Sequence, residues 1–94
     1  MVICVNTYQV KKGQRDALVE ELRRSGIEDA LRKMEGNVCF NFSVPIREPD
    51  VFYLTDIWED KASFQAHLES QATAAWSALK EQYVADSQVR RYDL

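Results

Sequence analysis

The sequence predicts an α+β fold in the order strand, helix, strand, strand, helix, strand, the ferredoxin-like split βαβ arrangement (βαββαβ). Three observations lead there. Four short segments rich in β-branched and aromatic residues are bounded by turn signals. Two longer segments repeat apolar residues at spacings of three and four, one face of a helix. The strands, moreover, are apolar on both faces. Val51-Phe52-Tyr53-Leu54-Thr55-Asp56-Ile57-Trp58 sets Phe52, Leu54, Asp56 and Trp58 on one side and Val51, Tyr53, Thr55 and Ile57 on the other. An antiparallel sheet with one wet face alternates apolar and polar residues instead. Right-handed crossovers put both helical segments on one face, so the second apolar face calls for a second copy of the sheet, a homodimer.

Each element follows from its own residues. Val2–Val10 reads as the first strand, and Lys11-Lys12-Gly13 as a turn. From Gln14 to Met34, Ala17, Leu18, Leu22, Ile27, Ala30, Leu31 and Met34 mark an amphipathic helix. Ser25-Gly26 interrupts it, giving a long helix and then a shorter one. Gly36, in Glu35-Gly36-Asn37, suits a left-handed terminator. Val38–Val44 is the second strand, with Val38, Phe40, Phe42 and Val44 on one side and Cys39, Asn41 and Ser43 on the other. Pro45–Asp50 is a hairpin connection with two prolines. The third strand follows, and Asp60 is placed to cap a helix. Phe64, Leu68, Ala72, Ala75/Trp76, Leu79 and Tyr83 then form one continuous stripe. Ser87–Leu94 closes the sheet with Val89, Tyr92 and Leu94. In this topology the first and third strands are neighbours, expected to run parallel, and the second lies outside the third. Cys4 and Cys39 are then a strand apart and beyond disulfide reach.

Composition narrows the function. A chain of 94 residues argues one domain, spanning 1–94. A domain this small buries only about 60–65% of its unfolded surface and gains from a partner. A net charge of −3 gives no footprint for nucleic acid or an anionic membrane. The two cysteines fall in apolar strand patterns, where a thiol acts as a small hydrophobe. The N-terminus carries no secretory pattern, and no apolar run reaches membrane-spanning length. A reduced, cytoplasmic setting is expected. No phosphate loop, metal spacing, dinucleotide fingerprint or nucleophile elbow is present, so neither a cofactor nor a metal is expected.

Chemistry must therefore come from polar residues at positions the pattern buries. Asn6 shares a face with Val2, Cys4, Tyr8 and Val10. Its amide either satisfies a loop or polarises a bound carbonyl. Asp56 sits between Leu54 and Trp58. It either pairs with an arginine of the first helix or acts as a general base. Trp58 fits core packing or a pocket wall. His67, the only histidine, lies at the margin of the buried helix face and is the one unperturbed group titrating near neutrality. Tyr8 and Phe40 are apolar-face aromatics able to line a pocket. Asn41 faces the other way, toward a pocket or a dimer partner.

The stretch from Pro49 to Ser70, with Asp56 two residues before Trp58, the acidic turn Glu59-Asp60, the helix start Lys61-Ala62-Ser63-Phe64 and His67-Leu68, resembles the signature of the antibiotic biosynthesis monooxygenase family of dimeric α+β barrels. Glu35-Gly36-Asn37-Val38 resembles that family's Gly-led second strand. The resemblance implies a homodimer with a pocket in each subunit between sheet and helices. Members include cofactor-independent monooxygenases of quinol or anthrone type, heme-degrading monooxygenases, and an isomerase or processing enzyme for a phosphorylated autoinducer. Asn6 and Trp58 match the pocket Asn and Trp of the heme-degrading branch. Its heme-ligating histidine has no counterpart in Ala74-Ala75-Trp76-Ser77-Ala78. The family's Ser-Pro-His-Phe is replaced by Ser70-Gln71-Ala72-Thr73. The expectation is a monooxygenase that uses no cofactor, with an aromatic or quinol-like substrate and molecular oxygen as partners. Asn6, Asp56 and His67 would be its catalytic residues, converging on one pocket, and Trp58, Tyr8 and Phe40 would bind substrate. An autoinducer-type isomerase and a non-catalytic ligand-binding barrel are the alternatives.

Overall fold

A computed structural model describes residues 1–94. The elements are β1 (Val2–Val10), α1 (Arg15–Ser25), α2 (Ile27–Arg32), β2 (Asn37–Ser43), β3 (Val51–Trp58), α3 (Lys61–Leu68), α4 (Gln71–Tyr83) and β4 (Val84–Asp93). The sheet order is β2-β3-β1-β4. β1 and β3 are neighbours, but they run antiparallel, not parallel as expected. The reason is topological. The helical crossover returns β2 parallel to β1, the hairpin reverses direction, and β3 then inserts beside β1 running the other way. With β3 between them, Cys4 and Cys39 are both free.

Local chemistry explains the breaks. Gly26 takes φ 74°, a left-handed conformation, and so ends α1 and starts α2 in one residue. Ser25 Oγ accepts the Ile27 N–H at 3.1 Å across that break. Asp60 caps α3 by accepting the Ser63 N–H at 2.8 Å. The second helical stripe is not continuous, contrary to expectation. Ser70 adopts an extended conformation and caps a new helix by accepting the Thr73 N–H at 3.1 Å. The break turns Leu68 outward, and it is 47% exposed. β4 follows α4 without a loop and begins at Val84, earlier than the apolar pattern suggests.

One cluster forms the core between sheet and helices. Leu18, Leu22, Ile27 and Leu31 come from α1 and α2, and Phe64, Trp76 and Tyr83 from α3 and α4. They meet Val2, Cys4, Tyr8, Val10, Phe40, Phe52, Leu54 and Trp58 of the sheet. Each fully buried large side chain contributes roughly 1.5–3 kcal/mol. The other sheet face is not covered by these helices. Register places Ile3 between Ile57 and Tyr92, and Val5 between Thr55 and Arg90. Tyr53, Thr55 and Ile57 are half-buried there and Val5 and Tyr92 are exposed; Val51, by contrast, is already buried within the chain.

Candidate functional site

Strand alternation aims Asn6 of β1 and Asp56 and Trp58 of β3 at the helices. Asn6 lies opposite Leu54, and Cys4 lies opposite Asp56. The Asn6 amide therefore reaches two acceptors: Nδ2 donates to the Leu54 carbonyl at 2.9 Å and to Asp56 Oδ1 at 3.1 Å. Trp58 Nε1 donates to Asp56 Oδ2 at 2.9 Å. His67, from α3, stacks its ring on Trp58 at 4.6 Å between centroids, with 14° between planes. Its Nε2 stands 3.7 Å from Asp56 Oδ2, an apposition longer than a hydrogen bond. Asn6, Asp56, Trp58 and His67 thus meet one another as expected, but in a closed cluster and not around one of the principal cavities. All four are buried, with exposures of 8%, 2%, 0% and 6%. His67 is inside the core and not at its margin, because the α3–α4 turn folds over it. Asp56 has no arginine partner.

Electrostatics follow from burial. Loss of water raises the Asp56 pKa, against the pull of the Trp58 and Asn6 hydrogen bonds and the Lys80 charge. Burial, helped by the Lys80 charge, lowers the His67 pKa to about 4. His67 is accordingly neutral at neutral pH, and its approach to Asp56 is not an ion pair.

Two residues that the sequence reading passed over hold His67. Its Nδ1 lies 2.9 Å from Thr73 Oγ1. Thr73 Oγ1 is also 2.6 Å from the His67 carbonyl, and Ser70 Oγ is 2.8 Å from that carbonyl and 3.1 Å from Thr73 Oγ1. Each hydroxyl has one proton to give. When Thr73 donates to the carbonyl, Nδ1–H donates to Thr73 and Nε2 is bare. When Ser70 serves the carbonyl, Thr73 donates to Nδ1 and Nε2–H faces Asp56. The network accommodates both neutral tautomers. The signal was the Ser70-x-x-Thr73 spacing at a helix start.

The remaining candidates lie around this cluster. Phe40 is 1% exposed and meets His67 edge-on at 5.9 Å. Asn41 lies on the open face, where its Oδ1 accepts from Arg32 at 2.7 Å. Tyr8 stands one step further along β1, edge-on to Trp76 at 5.5 Å. Lys80 Nζ sits 5.9 Å from the Tyr8 ring centre and 5.7 Å from that of Trp76. None of the three principal cavities is lined by Asn6, Asp56, Trp58 or His67. The most apolar of them, about 290 Å³, lies between α1 and the β2–β3 edge against Leu22, Phe42 and Phe52. Beside Asn6 the helix layer ends: Val89, its β4 neighbour, is 59% exposed. A heme held by an axial histidine does not fit here. In Ala74–Ala78 of α4 the one inward side chain is Trp76, packed against Phe42 at 4.9 Å.

Comparison with known proteins supports the same frame. The profile of the family described as antibiotic biosynthesis monooxygenase matches residues 1–79. A Nitrosomonas europaea structure carrying that family designation superposes with a TM-score of 0.89 at 19% identity, covering 100% of this chain and 98% of the other. The structure of PA3566 from Pseudomonas aeruginosa gives 0.84 at 20% identity, covering 99% and 93%. A Deinococcus radiodurans structure with the family designation gives 0.77 at 26% identity, covering 100% and 92%. No curated protein matches in sequence. Below a quarter identity such likeness establishes the fold; the profile match over most of the length establishes the kinship. The chain belongs to the antibiotic biosynthesis monooxygenase family.

Proposed function

We propose that this chain is a cofactor-independent monooxygenase acting on a phenol- or hydroquinone-like aromatic, working as a homodimer joined through the open sheet face. The observation that carries the reading is Asp56. It is a buried carboxylate of raised pKa, gripped by two N–H donors and faced by a neutral imidazole. A carboxylate whose charge is poorly solvated is a better base toward a weak acid. Asp56 takes a proton from the substrate, and the charge spreads into the aromatic ring. Asn6 gives both of its N–H groups to the Leu54 carbonyl and Asp56; once Asp56 is protonated, the second is released and turns to the developing oxyanion. The substrate anion supplies the electrons: it adds to oxygen to form a peroxide, which loses water. The substrate gives up two hydrogens and gains one oxygen atom, and the second atom leaves as water. Trp58 supplies an apolar wall, and the exposed β4 flank beside Asn6 is the way in. The free thiol of buried Cys4 suits a reducing cytoplasm.

Oxygen uptake with a panel of hydroquinones and anthrone-type phenols tests this. Asp56→Asn keeps the shape and removes the basicity, so turnover should fall on the order of 100-fold or more. The new amide can accept from only one of Asn6 and Trp58, so the melting temperature should fall, by the worth of about 1–3 kcal/mol, and turnover is compared where the variant is folded. No uptake above spontaneous autoxidation, or full uptake by a folded Asp56→Asn, would sink the reading. A second reading, a barrel that holds a ligand without turning it over, is favoured by the separation of the Phe42–Phe52 cavity from Asp56. Tight binding there with no oxygen consumption would establish it.

A further inference from the structure

A second group of polar side chains, unused by the Asp56 cluster, gathers at the other end of β1. Tyr8 follows Asn6 by two residues on the same face, about 7 Å along the strand. The Tyr8 side chain is 3% exposed and walled edge-on by Trp76. Trp76 is 2% exposed, and its buried indole N–H points toward the Tyr8 hydroxyl without completing a well-formed hydrogen bond. Folded proteins rarely leave such a donor unpaired unless a ligand completes it. Lys80, one turn further along α4, is half-buried over both rings. It takes part in none of the chain's ion pairs. Glu81 and Asp86 share with Lys80 the wall of a cavity of about 370 Å³, yet neither pairs with it.

We propose that Tyr8, Trp76 and Lys80 form an oxyanion-binding site that takes the phenolate oxygen of an aromatic substrate. The chemistry of the set selects the ligand. An indole N–H and an ammonium only donate, and a phenol O–H donates readily, so the missing partner is an acceptor, best an anionic one. The surrounding groups are aromatic: Phe42 lies 4.9 Å and Phe52 6.3 Å from the Trp76 ring, which suits an aromatic body behind the oxygen. The balance of charge agrees. Burial lowers the Lys80 pKa and only the Asp56 carboxylate opposes this, so an incoming anion restores a lost partner. Burial holds the Tyr8 hydroxyl at a pKa of about 12, against the weak hydrogen-bonding pull of the Trp76 N–H, and keeps it a proton donor. A substrate anchored here by one oxygen lies along β1 toward Asn6 and Asp56. The assignment rests on the oxygenase reading for its biological meaning, but anion binding is measurable without turnover.

The probe is 4-nitrophenol, compared with 4-nitroanisole, its uncharged isostere, and with benzoate. Absorbance titration should show the bound phenol ionising at lower pH than the free one. The phenolate should bind about tenfold or more tightly than the anisole, the worth of one hydrogen bond to a charged group. Lys80→Met, checked for fold by circular dichroism, should abolish that preference, and Lys80→Gln should do the same. Lys80→Arg should retain most of it, and Trp76→Phe should weaken phenolate binding severalfold with little change for the anisole. Equal binding of the two probes by the native chain, or an unchanged preference in Lys80→Met, overturns the assignment. Benzoate binding more tightly than 4-nitrophenolate would overturn the choice of a phenolate as the ligand. A phenolate preference with no oxygen uptake would instead remove the oxygenase reading and leave the anion site standing.

Discussion

Acidification probes the buried cluster through His67. The folded chain holds this imidazole at a pKa of about 4, against a usual 6.5, mainly because burial disfavours its charged form. Below pH 6.5 the unfolded chain binds a proton that the folded chain refuses until about pH 4. The depressed value therefore contributes stability that is fully present above pH 6.5 and is lost as pH falls toward 4. At about 1.4 kcal/mol per pKa unit, the loss between pH 7.5 and 5 is about 2 kcal/mol. Asp56 acts in the opposite sense. Its raised pKa favours the fold at low pH, and that contribution fades as pH rises through the folded value. The useful quantity is thus a difference between two proteins. His67→Phe retains a ring to stack on Trp58 and to meet Phe40 and Phe64, but does not titrate. Urea denaturation of both proteins at pH 7.5, 6.5 and 5, at one protein concentration, should show the native chain losing about 2 kcal/mol more than the variant. Parallel stability curves, or an NMR titration of His67 centred near 6.5, would refute the burial argument.

Other predictions follow from single contacts. Thr73→Val removes the hydroxyl beside Nδ1 and should shift the His67 tautomer balance in ¹⁵N NMR, while Thr73→Ser should restore it; identical spectra for all three proteins would exclude control by Thr73. Gly36 has φ 82°, and a Cβ there runs into the Ser63 side chain. Gly36→Ala should therefore cost about 1–2 kcal/mol from backbone handedness plus a clash. Adding Ser63→Gly should recover only the clash, as urea midpoints will show, and a neutral Gly36→Ala would contradict the geometry. Ile57→Lys puts a charge at the centre of the open face and should leave a monomer in sedimentation velocity. A native chain already monomeric and folded at micromolar concentration would defeat the proposed dimer.

The order of elements and the two faces of β3 were readable because strand alternation and helical spacing are strong periodic signals. Val2–Val10 and Val51–Trp58 match their expected bounds for that reason. The antiparallel pairing of β1 and β3 was open to deduction, since connection geometry decides it and side-chain pattern does not. The α3–α4 break was hidden by the apolar stripe running through it. One serine hydroxyl capping a new helix outweighed that pattern locally, and the same turn carried His67 inward and Leu68 outward. Asn6, Asp56 and Trp58 stood out as polar groups at buried strand positions. Thr73 and Lys80 did not, because their importance lies in what the fold sets beside them: the His67 ring for one, the Tyr8 and Trp76 rings for the other.

Isotope tracing in a closed cell tests the central claim most directly. With ¹⁸O₂ and a hydroquinone that the protein turns over, the account predicts one oxygen molecule consumed per substrate. One labelled atom should appear in the product and the other in water, and both should disappear with a folded Asp56→Asn. Hydrogen peroxide in place of incorporated label, or the same labelled product at the same rate from Asp56→Asn, would contradict it.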